Sequence, residues 1–184
     1  MLKIAAILKS ILWHCGNVKT SSRSVIFYGK LYYIAKYLTD KFTKYIVSDS
    51  KDRYVCPTKK EWEDSLIREC CYVYEENDEV LGFVVLHPFS KRPCYCGVAE
   101  ISIYIASKAR GRGVGKLLLQ KEIDESEKHG FWSLTSKIYI TNEASCRLHE
   151  ALGFRKVGYR ERLMKTINGE WMSVVIYELR RHEE

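Results

Sequence analysis

The spacing of apolar residues changes period several times along the chain, and each change predicts an element. "RSVIFY" (residues 23–28) is a short β-prone run, and "LYYIAKYLTDKFTKYIV" (31–47) carries apolar residues at helical spacing. A second helix is expected from Pro57, with Thr58 as N-cap and Glu61 completing a capping box, over 57–70. "CYVYEENDEVLGFVVLHPF" predicts a hairpin, with strands over 71–74 and 80–87 around an acidic turn at Asn77 and Asp78. A long apolar strand follows over 97–106, then a glycine-rich stretch, then helical periodicity over 114–129 that stops at Gly130. "WSLTSKIYI" (132–140) predicts a strand with Ile138 and Ile140 on one face. A short helix comes next, which Asn142 can cap and Gly153 can stop. The chain closes with two strands around an Asn168-Gly169 turn. The order β-α-α-β-β-β-α-β-α-β-β favours an α/β layered fold with a partly antiparallel sheet.

Composition narrows the class. The chain has 184 residues, 46% of them hydrophobic and three of them proline, which suits a single globular domain over 1–184. No apolar run reaches the ~18–20 residues of a membrane-spanning helix. The opening "MLKIAAILKSILWHCG" faintly suggests a signal peptide, but Lys9 interrupts its apolar run and "WHCG" is a poor cleavage site. Seven cysteines, an odd count, argue for reduced thiols and a cytoplasmic protein, and no C-x-x-C spacing points to a metal. Cys94 and Cys96 are expected on one face of a strand, packed in the core. The net charge of +7 is uneven: residues 1–60 hold twelve Lys/Arg against three Asp, and 61–184 hold eighteen Lys/Arg against twenty Asp/Glu. A basic first third suits nucleic acid or an anionic membrane, and equally a solvated face. No aromatic-basic interleaving favours nucleic acid, and Tyr74, Phe83, Phe89 and Trp171 are expected in the core or an interface.

The stretch "ARGRGVGKLLLQ" (109–120) carries glycines at 111, 113 and 115. A dinucleotide fingerprint starting at Gly111 needs glycine where Lys116 stands, and a Walker loop needs four residues between its glycines and Ser/Thr after its lysine. Both matches fail. A flexible turn accounts for the glycines but not for their strand-loop-helix setting or the flanking Arg110 and Arg112. R-x-x-G-x-G, formed by Arg110, Gly113 and Gly115, does fit. Its successive N–H groups and the following helix dipole attract a pyrophosphate, with Arg112 and Lys116 adding charge from the rim.

This loop resembles the coenzyme A pyrophosphate loop of the GNAT acyltransferase superfamily. "GVAEISIYIASKARGRGVGKLLL", "NEASCRLHEALGFRKVGY" and "GEWMSVVIYEL" look like its phosphinothricin N-acetyltransferase branch, and "KRPCYCGVAE" and "GFWSLTSKIY" lean towards the arsenic-resistance subgroup. The resemblance implies a mixed, mostly antiparallel twisted sheet flanked by helices, with splayed central strands and a bulge in the first of them. It also implies acetyl-CoA as co-substrate without a metal, and a homodimer. The implied reaction acetylates the α-amino group of a small amino acid or toxic analogue (phosphinothricin, methionine sulfoximine or sulfone, arsinothricin) by direct attack in a ternary complex.

Carried onto this chain, the resemblance implies a cofactor site of Ile103, Tyr104, Ile105, Arg110, Gly111, Arg112, Gly113, Val114, Gly115, Lys116, Asn142 and Ser145. The oxyanion donor is a backbone N–H near Ile103 or Tyr104. Glu100 is the candidate general base; a carboxylate in an otherwise apolar strand is costly unless placed for a purpose. His149 stands where many members place a tyrosine that protonates the leaving thiolate. Arg92, with Tyr104 and Phe89, is the candidate grip on an acidic substrate. Two departures stand out: residues 1–50 lack the acidic, alanine-rich opening of this branch, and Ser173 occupies a usually acidic position. Rival readings are an acetyltransferase for a peptide N-terminus or polyamine, and a non-enzymatic CoA-binding or nucleic-acid-binding module.

Overall fold

The computed structural model describes residues 23–27, 64–77, 79–165 and 169–181. Their strands are β1 (Arg23–Phe27), β2 (Cys71–Glu76), β3 (Glu79–Pro88), β4 (Val98–Ile105), β5 (Ser133–Tyr139), β6 (Arg155–Lys165) and β7 (Trp171–Arg180). Two α-helices, α1 (Val114–Lys128) and α2 (Glu143–Ala151), accompany them. The helix expected over 31–47, the start of the one expected over 57–70, and Asp78 and Asn168 of the two turns lie outside the described residues. At the described end of that second helix the chain instead forms a 3-10 turn, Arg68–Cys70. There the Ile67 N–H is drawn to the Leu86 carbonyl of β3 at 2.9 Å.

The strands form one sheet in the order β1-β2-β3-β4-β5-β7-β6. Every neighbouring pair is antiparallel except β4 and β5, which run parallel and pair only over Val98↔Ser133, Ala99↔Leu134 and Glu100↔Thr135. This is the mixed, mostly antiparallel sheet with parted central strands that the sequence implied. The expected bulge is not in the β3–β4 ladder, whose register runs unbroken from Gly82↔Ile105 to Pro88↔Ala99.

Period-two alternation divides the burial. Val84, Leu86, Ala99, Ile101, Leu134 and Ile138 face one side, where Leu118 and Leu119 of α1 complete the main core. Leu66, Cys71, Val73, Phe83 and Val85 pack on the other side, with Tyr104 against them. Each valine, leucine, isoleucine and phenylalanine among them contributes roughly 1.5–3 kcal/mol when fully buried, so together they anchor both faces of β3 and β4. The far end of α1 is polar despite its burial. Arg181 donates to the carbonyls of Ile123 and Phe131 and to Ser126 Oγ, at 3.0 Å in the last case. On the same helix Glu122 is fully buried, neither carboxyl oxygen has a hydrogen-bond partner, and the Cys70 thiol and the charge of Glu125 act on it.

Several expectations require correction. Cys94 and Cys96 do not lie on a strand and are exposed: Pro93 opens a 3-10 turn, Pro93–Tyr95, closed by the Cys96 N–H on the Pro93 carbonyl at 3.1 Å. Ile138 is buried, but Ile140 lies past the end of β5 and is 47% exposed. Of the four aromatics expected in the core or an interface, Tyr74 and Phe83 are in the core, and Phe89 and Trp171 are exposed, which leaves the interface alternative for those two. Cys70, Cys71, Cys94, Cys96 and Cys146 are all free thiols. Among the described residues no helix is long and apolar enough to cross a membrane.

Candidate active site

The site begins where β4 and β5 part. In an antiparallel ladder alternate residues turn both main-chain groups to the same neighbour. The Ala106 N–H meets the Leu81 carbonyl at 2.8 Å and the Phe89 N–H meets the Val98 carbonyl at 3.2 Å, so the even-numbered residues of β4 bond to β3. Ile103 and Ile105 therefore turn their N–H and C=O groups the other way, beyond the last pair with β5. Of the two expected oxyanion donors, Tyr104 is committed to its partner Phe83, and Ile103 faces the opening.

The glycine loop closes the far end of that opening. Gly113, at φ +81°, is the N-cap of α1, a left-handed conformation that a side chain disfavours. The N–H groups of Val114, Gly115 and Lys116 follow it without intrahelical partners, as in the first turn of any α-helix. Gly115 has another purpose: a Cβ there would come within 3.2 Å of Leu148 on α2, so glycine lets the two helices close on each other. The resulting cleft measures about 940 Å3, and all the expected cofactor residues line it except Arg112. Arg112 pairs instead with Glu76 of β2, at 2.5 Å. Asn142 caps α2, its Oδ1 accepting from the Ser145 N–H at 3.2 Å, while both residues border the cleft. A strand edge unpaired by β5, whose Ile105 carbonyl accepts from Arg110 Nε at 3.4 Å, leads to a helix N-terminus and suits a long ligand with amides in its middle and a pyrophosphate at one end.

On the opposite face from α1, Glu100 sits at the apex where the strands separate. Its Oε2 accepts from Lys137 Nζ of β5 at 2.6 Å, and the two side chains keep 30% and 40% of their exposure. His87 stands opposite Glu100 in the β3–β4 register and donates from Nδ1 to the Ser65 carbonyl at 3.0 Å. Burial holds this imidazole below its ordinary pKa, and it is neutral at pH 7. Phe89 pairs beside Val98 on this same face and packs against Tyr95, with ring centroids 5.5 Å apart. Arg92 is exposed in the β3–β4 loop, and neither it nor Phe89 lines the cleft.

His149 is held away from the cleft. It is fully buried, donates from Nδ1 to the Ser145 carbonyl at 2.8 Å, and packs edge-on to Phe154 at 4.9 Å. Burial lowers its pKa, so Nε2 carries a lone pair without a partner rather than a proton. The expectation that this imidazole protonates a thiolate is not met by this geometry.

Sequence reasoning missed Lys137, Tyr139, Met164, Lys165, Glu170 and Met172. All but Lys137 line the cleft, and the last four come from the β6–β7 hairpin. Alternation in "TSKIY" puts Lys137 and Tyr139 on one face, a signal that was available; the hairpin's approach depends on distant pairings such as Ile140 N–H to the Ser173 carbonyl at 3.2 Å. Ser173 also has a local role. β6 bulges between Arg160 and Met164, and the Ser173 hydroxyl accepts at 3.0 Å from the N–H of Arg162, a residue held at φ +48°.

Comparison with known proteins follows the same lines. The model of the acetyltransferase (GNAT) family matches residues 32–154. The phosphinothricin N-acetyltransferase of Streptomyces coelicolor is 31% identical over 78% of this chain and 88% of its own. The L-methionine sulfoximine/L-methionine sulfone acetyltransferase of Pseudomonas aeruginosa is 27% identical over 66% of this chain and 72% of its own. The fold is also that of a GNAT superfamily phosphinothricin acetyltransferase from Sinorhizobium meliloti solved with AcCoA. That structure has a TM-score of 0.72 at 20% identity, covering 87% of this chain and 89% of the other.

Proposed function

We propose, for a chain that belongs to the acetyltransferase (GNAT) family and is an acetyl-CoA-dependent N-acetyltransferase, that its acceptor is the α-amino group of a small amino acid or amino-acid analogue. One observation carries this reading: a part-exposed carboxylate, Glu100, stands where β4 and β5 part, at the last paired position before the stretch of β4 that lines the cleft. The names of the Streptomyces and Pseudomonas relatives support the acceptor class.

The cofactor's pyrophosphate would rest on the N–H groups after Gly113, and its amide-rich arm along Ile103 and Ile105. Bound acetyl-CoA supplies an acetyl group activated as a thioester. Glu100 takes the proton of the incoming amine, directly or through one water, as the nitrogen bonds to the acetyl carbon. The unpaired Ile103 N–H donates to the carbonyl oxygen as it gains negative charge. The carbon–sulfur bond breaks, and the departing thiolate takes its proton from solvent. Arg92 and Phe89, exposed beyond Glu100, serve the acceptor's side chain. We extend the reading to a cytoplasmic homodimer, supported by the free thiols and by Val157, Tyr159, Leu163 and Trp171, which are 43–54% exposed on the last two strands.

Thiol release from acetyl-CoA tests the reading directly, with phosphinothricin, methionine sulfoximine, methionine sulfone, arsinothricin, spermidine and a peptide N-terminus as acceptors. The amino acids should turn over, and the polyamine and peptide should not. Turnover of spermidine or peptide alone, or of nothing despite tight acetyl-CoA binding, would refute it.

A further inference from the structure

The ion pair between Glu100 and Lys137 is more than a general base requires. Lys137 Nζ lies 2.6 Å from Glu100 Oε2, the oxygen to which the proposed general-base role brings the incoming amine. The two residues come from strands that separate at this level, Glu100 at the last paired position and Lys137 two residues past its partner Thr135. Both remain open to solvent, so the pair can be exchanged rather than buried. Neighbours on this face are already engaged: the Thr135 hydroxyl donates to the Tyr177 carbonyl at 3.2 Å, and the Tyr104 ring stacks on Phe83 at 4.9 Å. His87 is committed to Ser65. The next residue of β5 on this face, Tyr139, lines the cleft roughly 7 Å further on, at about 3.3 Å of rise per residue.

A free amino acid carries both charges of this pair on one carbon. Its ammonium can take the place of Lys137 on Glu100, while its carboxylate takes the place of Glu100 on Lys137. One ion pair opens and two form in its place. A decarboxylated amine, an amide or a peptide N-terminus offers only the first exchange and leaves Lys137 without its counter-charge.

We propose that Lys137 is the specificity-determining residue of the acceptor site, holding the α-carboxylate of a free amino acid while Glu100 holds its amine. The inference rests on the acetyltransferase reading above and fixes which amines that reaction accepts. Arg92 is then left for a second acidic group on the acceptor's side chain, a separate requirement.

The test compares L-methionine sulfone with its carboxamide as acceptors for the wild-type protein, Lys137→Met and Lys137→Arg. It includes calorimetric binding of L-methionine sulfone to each protein in the presence of coenzyme A. The wild type should prefer the free acid. Lys137→Met should lower the acid-to-amide ratio of kcat/KM by about 10–100-fold, chiefly through KM of the acid, the range expected for one charge-assisted hydrogen bond. Its calorimetric affinity for the acid should fall by a similar factor, and Lys137→Arg should restore most of both. Equal losses for acid and amide would overturn the proposal, because a lysine that only positions Glu100 cannot tell the two apart. A wild-type protein indifferent to the carboxylate would overturn it as well. Turnover of no acceptor at all would overturn the acetyltransferase reading itself, a distinct result.

Discussion

Glu122→Gln exchanges a buried carboxyl for a neutral group of the same shape. Glu122 is fully enclosed, and its pKa is pushed from 4.5 up to about 9, mainly by desolvation, with the charge of Glu125 adding to it. The unfolded chain releases this proton above pH 4.5, whereas the folded protein keeps it until about pH 9. Below the lower value the group is protonated in both states and costs the fold nothing by ionisation. Between the two, stability falls with rising pH by about 1.4 kcal/mol per unit. Raising the pH from 5 to 8 should therefore destabilise the wild type by about 4 kcal/mol relative to Glu122→Gln, an appreciable share of the 5–15 kcal/mol of a typical domain. Urea unfolding followed by tryptophan fluorescence at a series of pH values measures both proteins; distant titrating groups cancel in the difference, and Cys70, Cys71 and Tyr72, which feel the charge of Glu122, titrate above this pH range. The glutamine variant should be the more stable at pH 8, with the gap closing towards pH 5. Parallel profiles would show that Glu122 ionises in the folded state, and the reasoning from its burial would fail.

The remaining expectations concern the site and the thiols. Glu100→Gln should lower kcat by about 10²–10⁴-fold while the dissociation constant of acetyl-CoA stays nearly constant; comparable turnover in single-turnover experiments would remove Glu100 from the chemistry. Gly113→Ala meets no atom within 4 Å of the new Cβ, so its effect is backbone strain at φ +81° alone. A penalty of about 1–2 kcal/mol for the left-handed conformation should raise KM for acetyl-CoA roughly tenfold, and an unaltered KM would detach this turn from cofactor binding. Burial, with the charge of Glu122 behind it, pushes the Cys70 thiol up to about 12, whereas Cys94 and Cys96 are exposed. Iodoacetamide at pH 8 should label the latter pair in the folded protein and leave Cys70 untouched until denaturant is added, as read by mass spectrometry.

Features decided by neighbours in sequence were legible before any fold was known. Asn142 caps α2 as its side chain and spacing required, and Gly130 and Gly153 stop their helices at φ +78° and +86°. The strand over 98–105 followed from its apolar run, and the glycine loop from its spacing. Errors arose where a short pattern had more than one three-dimensional solution. "CYC" has the spacing of a strand, but Pro93 sets a tight turn and the strand begins only at Val98. Ile140 continues the alternation of β5 beyond the point where pairing stops. Arg112 has the right charge for a phosphate loop, yet Glu76, 36 residues earlier, lies within reach and takes it. His149 occupies a telling position in its motif, but whether a side chain at that position faces the cleft or the core depends on how α2 is rolled against Phe154 and Tyr177. One-dimensional spacing does not encode that rotation.

The alternation of β4 then assigns its roles. Odd positions, Ile103 and Ile105, send side chains into the core under α1 and main-chain groups into the cleft, so apolar residues can bind a polar cofactor arm without polar side chains. Even positions, Glu100 and Tyr104, bond through the main chain to β3 and turn their side chains to the other face, where an acceptor can meet them. A shift of one residue in the β3–β4 register would exchange the two sets, burying Glu100 beneath α1 and presenting isoleucine to the acceptor. Burial of a carboxylate among Leu118, Leu119 and Leu134 would cost several kcal/mol, while the present register leaves it paired and part-exposed. The same carboxylate that serves as the candidate base thus also opposes that slip, and folding and chemistry select one register for the same reason.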